Sequence, residues 1–279
     1  MADFVNEEID SIAKLREHQI LFIGGFMGEF LSLPLIGTYF KSNIEALRTN
    51  FGIEEIDTIM PSSLKTIWDN AEKIKERIFQ NYFQSNKPVI AFAHSRAGAE
   101  ILLATLRYPE LIYSGVLSKI VIFQGCLNGS VLADRLTNYK RNSKKSPLKA
   151  VQILASKFDF LECMQQDFYA DYYAQRFNEL DDKFKNMLNS RLLVILGAKE
   201  NTRDTMSYLQ VSHLLLKNLS GENDGILDIS SQTFDHIEEA SHIRVEADHG
   251  ELVTSFPFSQ TDNKSRHEFT QMIFNHLMQ

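Results

Sequence analysis

The stretch Ala91-Phe92-Ala93-His94-Ser95-Arg96-Ala97-Gly98 decides how the chain folds. An apolar run, Val89-Ile90-Ala91-Phe92, leads into it, and a helical pattern over residues 97–108 follows at once. Pro109 closes that pattern, because the residue before a proline is pushed out of the helical region. A strand that passes into a helix through a small-x-Ser-x-small turn needs little bulk around the serine. Such a turn lifts the serine Oγ above the sheet, at the positive end of the helix. Ala93 and Ala97 stand where this kind of turn usually carries glycine, with Gly98 next. A serine that merely caps a buried helix fits the same residues, so the surrounding segments have to separate the two readings.

Working outward, short apolar runs alternate with longer amphipathic ones, the pattern of a parallel sheet covered by helices. Ile20-Leu21-Phe22-Ile23, Val89-Ile90-Ala91-Phe92, Lys119-Ile120-Val121-Ile122-Phe123 and Leu192-Leu193-Val194-Ile195-Leu196 are nearly all apolar, as strands buried on both faces are. Glu55-Ile56-Asp57-Thr58-Ile59-Met60 and His242-Ile243-Arg244-Val245 are weaker and belong nearer the edges. After Pro61-Ser62-Ser63, the apolar residues Leu64, Ile67, Trp68, Ala71, Ile74 and Ile78 keep the 3.6 period, with Ser63 as the expected N-cap. Residues 207–218 and 266–277 read as further helices, the last with Phe269, Met272, Ile273 and Leu277 on one face.

One region breaks the alternation. Residues 127–190 hold no strand candidate. A basic stretch over 140–149 is followed by Phe158, Phe160, Phe168, Tyr169, Tyr172, Tyr173 and Phe177. A linker would not carry that apolar payload, so a helical insertion is expected. The expected architecture is α/β, a mostly parallel central sheet of about six strands flanked by helices. A first core part covers 1–126, a helical cap 127–190 and a second core part 191–279.

Composition narrows the function classes. Of 279 residues, 44% are hydrophobic and 23% charged, ordinary globular usage that excludes disordered and collagen-like chains. Against 29 basic residues stand 36 acidic ones, a net charge of −7, which argues against general binding of nucleic acid. Two cysteines, Cys126 and Cys163, make no disulfide framework, and no Cys/His spacing suggests a metal. No cofactor is called for. The N-terminus is acidic and polar, and the apolar region 20–40 holds Glu29, Pro34 and several glycines, so neither a signal peptide nor a membrane span is indicated. The expectation is a cytoplasmic protein, with signal-less secretion left open and no oligomeric state indicated.

Two more signals sit at expected strand ends, where open α/β sheets place their ligands. Ile23-Gly24-Gly25-Phe26-Met27-Gly28 follows the first strong strand. Its glycines let backbone N–H groups turn toward a developing oxyanion, although a plain tight turn fits as well. Late in the chain come Asn223-Asp224-Gly225 and Ala247-Asp248-His249-Gly250. An isolated Asp-Gly is usually a turn and an isolated histidine usually a surface or core residue. Their order gives them weight: serine, acid, histidine is the chain order of the α/β-hydrolase triad. Asp228 rivals Asp224. Asp224 is favoured because the Asn-Asp-Gly turn aims a short side chain at a neighbouring loop, whereas Leu227-Asp228-Ile229 reads as extended and apolar. Resemblance to α/β-hydrolases, which often carry a packing histidine just before the serine, implies that role for His94, and the other histidines lack metal spacing or a paired acid.

From Ile20 onward the sequence resembles the α/β-hydrolase superfamily, and its lipase-like members most. Gly125-Cys126-Leu127-Asn128-Gly129-Ser130-Val131-Leu132-Ala133-Asp134 resembles the glycine-rich turn and Gly-Ser-x-x-Ala-Asp run of triacylglycerol lipases. Asn223-Asp224-Gly225-Ile226-Leu227 and Asp248-His249 are similar to their acid loop and base. The chain departs from the pattern at Gly24, where lipases usually carry histidine, at both alanines of the turn, and in lacking the first two strands of the full fold. The resemblance implies Ser95 as nucleophile, Asp224 as orienting acid and His249 as general base. It implies backbone N–H groups of Phe26 and Arg96 as oxyanion donors, with Gly25 beside them. It further implies hydrolysis of carboxylic esters, with acyl transfer or thioester cleavage as the alternative. A non-catalytic member of the fold is less favoured, since such proteins usually lose a triad residue. The cap aromatics point to a lipid-like or bulky apolar ester. The 140–149 stretch reads as a solvated loop, with contact to an anionic substrate or membrane surface as the sharper reading. Arg96 adds to that reading if its side chain overlooks the nucleophile.

Overall fold

The computed structural model describes residues 12–25, 39–135, 166–207, 209–234, 236, 242–254 and 263–278. Six strands form one sheet in the order β2-β1-β3-β4-β5-β6, every neighbouring pair parallel. They are β1 (Gln19–Ile23), β2 (Ile56–Ile59), β3 (Val89–His94), β4 (Leu117–Phe123), β5 (Leu192–Ala198) and β6 (His242–Glu246). The four runs read as strands buried on both faces occupy the middle of the sheet. The two weaker ones, β2 and β6, are its edges.

In chain order the helices that frame the sheet and the site are α1 (Lys41–Phe51), α2 (Ile67–Ser85), α3 (Arg96–Arg107), α4 (Glu110–Tyr113), α5 (Gln166–Glu179), α6 (Asp182–Asn189), α7 (Gln210–Leu219), α8 (Ile229–Gln232) and α9 (Asn263–Met278). Side-chain alternation along the strands builds two cores beneath them. Leu21, Ile23, Ala91, Ala93, Ile120, Ile122 and Val194 join one, which α2, α3 and α4 cover. Ile20, Phe22, Ile90, Phe92, Val121, Phe123 and Ile195 join the other, which α1 and α9 cover. Rings cement the second core: Phe92 lies 5.0 Å from Phe22 and 4.8 Å from Phe274, centroid to centroid.

Two helix details differ from the sequence reading. Ser63 does not cap α2. The cap is Thr66, whose Oγ accepts the Asp69 amide at 3.1 Å, so the apolar period overruns the true helix start by about a turn. Leu64, the first position of that period, is 72% exposed. On α9, Met272 is 45% exposed and Phe274 takes a buried place beside Ile273. The buried stripe of that helix is therefore displaced from the one its spacing suggests.

Residues 127–190 contribute α5 and α6, and no strand among the described residues. Tyr173 is buried and donates its hydroxyl to the Ala99 carbonyl at 2.6 Å, while Phe177 packs on Phe234. These two aromatics are therefore core residues. Phe158, Phe160 and the basic stretch 140–149 lie outside the described residues, as do Cys163 and the side chains of Phe168 and Tyr169.

Candidate active site

β1, β3, β4, β5 and β6 run parallel, so the segments after them gather at one edge of the sheet. Ser95 is the turn between β3 and α3. It adopts φ 59° and ψ −127°, a conformation costing a non-glycine residue on the order of 1–3 kcal/mol. Backbone bonds hold it there: Ser95 N–H donates to Phe123 O at 3.0 Å, and its carbonyl accepts Gly98 at 3.0 Å and Cys126 at 3.2 Å. The close approach in this turn falls at Gly98. Ala97 fits, but a Cβ on Gly98 would lie 2.5 Å from Ile122 Cγ2 and 3.1 Å from the Gly125 Cα.

His249 follows β6, with only Ala247 and Asp248 between the strand end and the ring. Its Nε2 lies 2.8 Å from Ser95 Oγ, and its Nδ1 lies 2.7 Å from Asp224 Oδ2. A carboxylate only accepts, so Nδ1 carries the proton and Nε2 accepts from the serine hydroxyl. Asp224 is fully buried. Its Oδ1 accepts the amides of Ile226 at 2.9 Å and Leu227 at 2.7 Å, and its main-chain carbonyl accepts the His249 amide at 2.9 Å. Both loops are thus fixed before any substrate arrives. The three side chains form one unbroken hydrogen-bonded line, and the other oxygen of the acid is spent on orienting its own loop.

Several solved structures share this architecture. A lipase of Bacillus licheniformis in its mature form superposes with a TM-score of 0.67 at 18% identity, over 95% of this chain and 93% of that one. A metagenomic carboxyl esterase gives 0.65 at 16% identity, over 94% and 76%. Lipase 1 from Pelosinus fermentans gives 0.51 at 11% identity, over 92% and 98%. The chain has the α/β-hydrolase fold. No protein-family model matches it, and no curated protein does.

Within that α/β-hydrolase frame the remaining residues of interest take definite places. Asp228 has extended backbone, φ −77° and ψ 162°, as the flanking residues suggest. It is the N-cap of α8, and its carboxylate accepts the hydroxyls of Ser230 and, at 2.6 Å, Ser231. Its carboxylate is therefore committed to these serines and not to His249. The Arg96 side chain does not overlook Ser95 either. It is buried, ion-paired with Glu100 at 2.9 Å, and donates to the carbonyls of Ser63 at 3.4 Å and Lys65 at 2.6 Å. The guanidinium is consumed in joining α3 to the segment before α2, which removes it as a contact for an anionic group. The Arg96 backbone amide is another matter. It opens α3, where the leading N–H groups of a helix have no intrahelical acceptor. Phe26 lies outside the described residues. Gly25 packs against the serine turn, with a Cβ there falling 2.6 Å from His94 O and 2.8 Å from Ser95 Cβ. Its amide is already given to the Tyr39 hydroxyl at 3.1 Å.

The sequence reading missed the residues that hold the loops. Gln232 grips the end of β5 with both ends of its amide, at 2.8 Å to Gly197 N and 2.8 Å to Gly197 O, and reaches Leu227 O at 3.2 Å. Gln124, at φ 47°, donates to Asp248 O at 2.8 Å. Asp248 accepts the Met206 amide at 3.0 Å and so braces the base loop. Burial holds the Asp248 carboxyl above its ordinary range despite that bond. A buried ion pair, Lys199–Glu251 at 3.1 Å, closes the same loop. Glutamines carry no chain pattern, and only the assembled fold reveals them. Among the described residues no His/Cys/Asp/Glu group is arranged to hold a metal, and no helix is long and apolar enough to cross a membrane.

Proposed function

We propose that this protein is a serine hydrolase that cleaves carboxylic esters through an acyl-enzyme. The observation that carries the reading is the continuous line from Ser95 Oγ to His249 Nε2 and from His249 Nδ1 to Asp224 Oδ2. Ser95 Oγ attacks the ester carbonyl carbon while His249 Nε2 takes its proton, and Asp224 stabilises the imidazolium so formed. The oxyanion is held by the Arg96 amide, with Phe26 as the second donor. On collapse His249 returns the proton to the leaving alcohol. A water molecule then repeats the sequence on the acyl-serine and releases the acid. The electrostatic contribution of the amides is worth roughly 10²–10³ in turnover for each donor in comparable sites.

The residues over 127–190 act in this reading as the cap that shapes the acyl pocket, and a lipid-like or bulky apolar ester is the favoured substrate. The similarity in fold to lipases and esterases supports the class of reaction. The experiment is turnover of a series of p-nitrophenyl esters of rising chain length by the full chain and by Ser95→Ala. The wild type is expected to hydrolyse them with a preference that changes with chain length, and Ser95→Ala to be inactive. Comparable turnover by both proteins overturns the proposal.

A further inference from the structure

Behind the catalytic line lies a second polar chain that the chemistry above does not use. Tyr39 is buried, and its hydroxyl accepts the Gly25 amide at 3.1 Å. The same hydroxyl bonds to Nδ1 of His94, which is also buried. Nε2 of His94 lies 2.7 Å from the His249 carbonyl oxygen. Only one arrangement of protons satisfies all three contacts. A carbonyl accepts, so His94 Nε2 carries the hydrogen and Nδ1 accepts. Tyr39 O–H then donates to Nδ1, and its free lone pair receives Gly25 N–H. Burial, with the adjacent His249 next in weight, holds His94 well below the ordinary histidine range, so the ring is neutral as this pattern demands. Burial also pushes the Tyr39 phenol up, keeping its donor proton in place.

The chain joins two loops with separate duties. At one end is Gly25, whose successor Phe26 is the second oxyanion donor of the proposed reaction. At the other is the main chain of His249, the proposed base. Tyr39 is fastened to the base loop a second time, since it bridges to Thr254 and the adjacent Phe40 N–H donates to Val253 O at 2.6 Å. The line ends on the carbonyl of His249 and not on its ring, so it offers the serine proton no path. What it fixes is distance and angle.

We propose that Tyr39 and His94 are positioning residues that lock Gly25, after the end of β1, and the base loop into one register through the chain Gly25–Tyr39–His94–His249. This inference rests on the ester-hydrolase reading and deepens it. Displacing a catalytic group by about 1 Å costs on the order of 10²-fold in rate, so breaking the chain should lower kcat far more than it weakens substrate binding. The ring of Tyr39 packs edge-on against Phe40 at 4.8 Å, and a phenylalanine keeps that packing while losing the bridge. A glutamine at position 94 carries an acceptor and a donor and should replace both contacts of the ring.

The experiment compares the full chain with Tyr39→Phe, His94→Gln, His94→Leu and the double variant Tyr39→Phe/His94→Gln. Kinetics on a short p-nitrophenyl ester are paired with thermal unfolding, after labelling of the wild type by a fluorophosphonate. For Tyr39→Phe we expect kcat to fall about 10- to 100-fold with KM within about threefold of wild type. His94→Gln should stay within several-fold of wild type and His94→Leu should fall at least as far as Tyr39→Phe. If His94→Leu does not fold, the other two single variants carry the comparison. Tyr39→Phe and the double variant should share nearly the same kcat, since the phenol bridge is lost in both and glutamine keeps the remaining contact to the His249 carbonyl. A labelled wild type with Tyr39→Phe at full kcat overturns the inference and leaves the hydrolase reading intact. A wild type that takes no label and turns over no ester overturns the hydrolase reading. In that case nitrogen-proton spectra of the histidine rings test the hydrogen-bonded chain without activity: an Nε2–H tautomer for His94 whose Nδ1 signal moves in Tyr39→Phe supports the chain, and an Nδ1–H tautomer refutes it.

Discussion

Asp224 and Asp228 are four residues apart on one loop, both essentially inaccessible to solvent and both rich in hydrogen bonds. Their tasks are nevertheless different. Asp224 gives one oxygen to backbone amides and the other to His249 at 2.7 Å. Asp228 spends its carboxylate on the hydroxyls of Ser230 and Ser231 and caps α8. Burial and hydrogen-bond count therefore do not distinguish the proposed triad acid from a structural one. The identity of the partner does. In the proposed reaction the carboxylate facing the imidazole stabilises a charge that appears only during turnover, whereas the one facing two serines stabilises the fold at all times.

The contrast can be broken first at the other end of the triad line. Ser95→Ala should lower turnover by roughly 10⁶, the loss known for nucleophile removal in comparable triads, with the unfolding midpoint nearly unchanged. Residual turnover above about a hundredth of wild type would detach both aspartates from any role in serine chemistry. The next effect in size separates the pair directly. Asp224→Asn should cost on the order of 10⁴ in kcat, because the amide favours the wrong imidazole tautomer. Asp228→Asn should leave kcat within a few-fold of wild type and lower stability by about 1–3 kcal/mol, the cost of disturbing buried polar bonds. Steady-state kinetics and denaturant unfolding on both variants decide it, and an exchange of the two phenotypes would exchange the two roles.

Which parts of the molecule are legible in the sequence follows from the range of the forces involved. β1, β3, β4 and β5 can be read because both faces of each strand are covered, leaving continuous apolar runs. Ser95, Asp224 and His249, the proposed triad, stand out in the sequence because their chain order and the turns around them are local signals, and the fold brings their side chains within hydrogen-bonding distance. The cap of α2 cannot be placed from periodicity, since Leu64 continues the apolar spacing beyond the true helix start; the Thr66/Asp69 pair is the better signal. Asp228 is extended, as Leu227 and Ile229 suggest, but its partners, the hydroxyls of Ser230 and Ser231, lie in a short helix that those apolar flanks do not announce. Tyr39, Gln124 and Gln232 carry no signal at all. Their partners lie on other elements, and nothing in their own neighbourhoods marks them.

The buried cation beside Ser95 stands in the same contrast to the proposed catalytic line as Asp228 does to Asp224. Arg96 and Glu100 are each about 2% exposed. Arg96→Met removes one charge and leaves Glu100 buried without its cation, beside the Asn70 amide at 2.7 Å. A stability loss of about 3–5 kcal/mol is expected, as for other half-emptied buried pairs. Folded Arg96→Met should keep near wild-type kcat, since the backbone amide remains. A large kcat loss in the folded protein would return the side chain to the site.

The smallest expected effect concerns pH. His94 is held below its ordinary range in the folded protein by burial and by His249. The unfolded chain therefore binds a proton there that the folded protein does not. The stability this contributes is complete above about pH 6.5 and is lost as the pH falls below it. Replacing His94 with glutamine should flatten the acid side of the stability profile by up to one proton, about 1.4 kcal/mol per pH unit. Among the described residues Tyr39 and His249 are the titratable groups facing the ring, and both remain in the variant. Identical slopes for wild type and His94→Gln between about pH 6.5 and 5 would mean the ring titrates normally in the folded state.

The most direct measurement is the site of modification by a fluorophosphonate. Digestion and mass spectrometry of the labelled full chain should place the phosphonyl group on Ser95, with Ser95→Ala taking none and Asp224→Asn labelled far more slowly than Asp228→Asn. A phosphonyl group on any other residue, or equal labelling of Ser95→Ala, would contradict the assignment of this serine as the nucleophile.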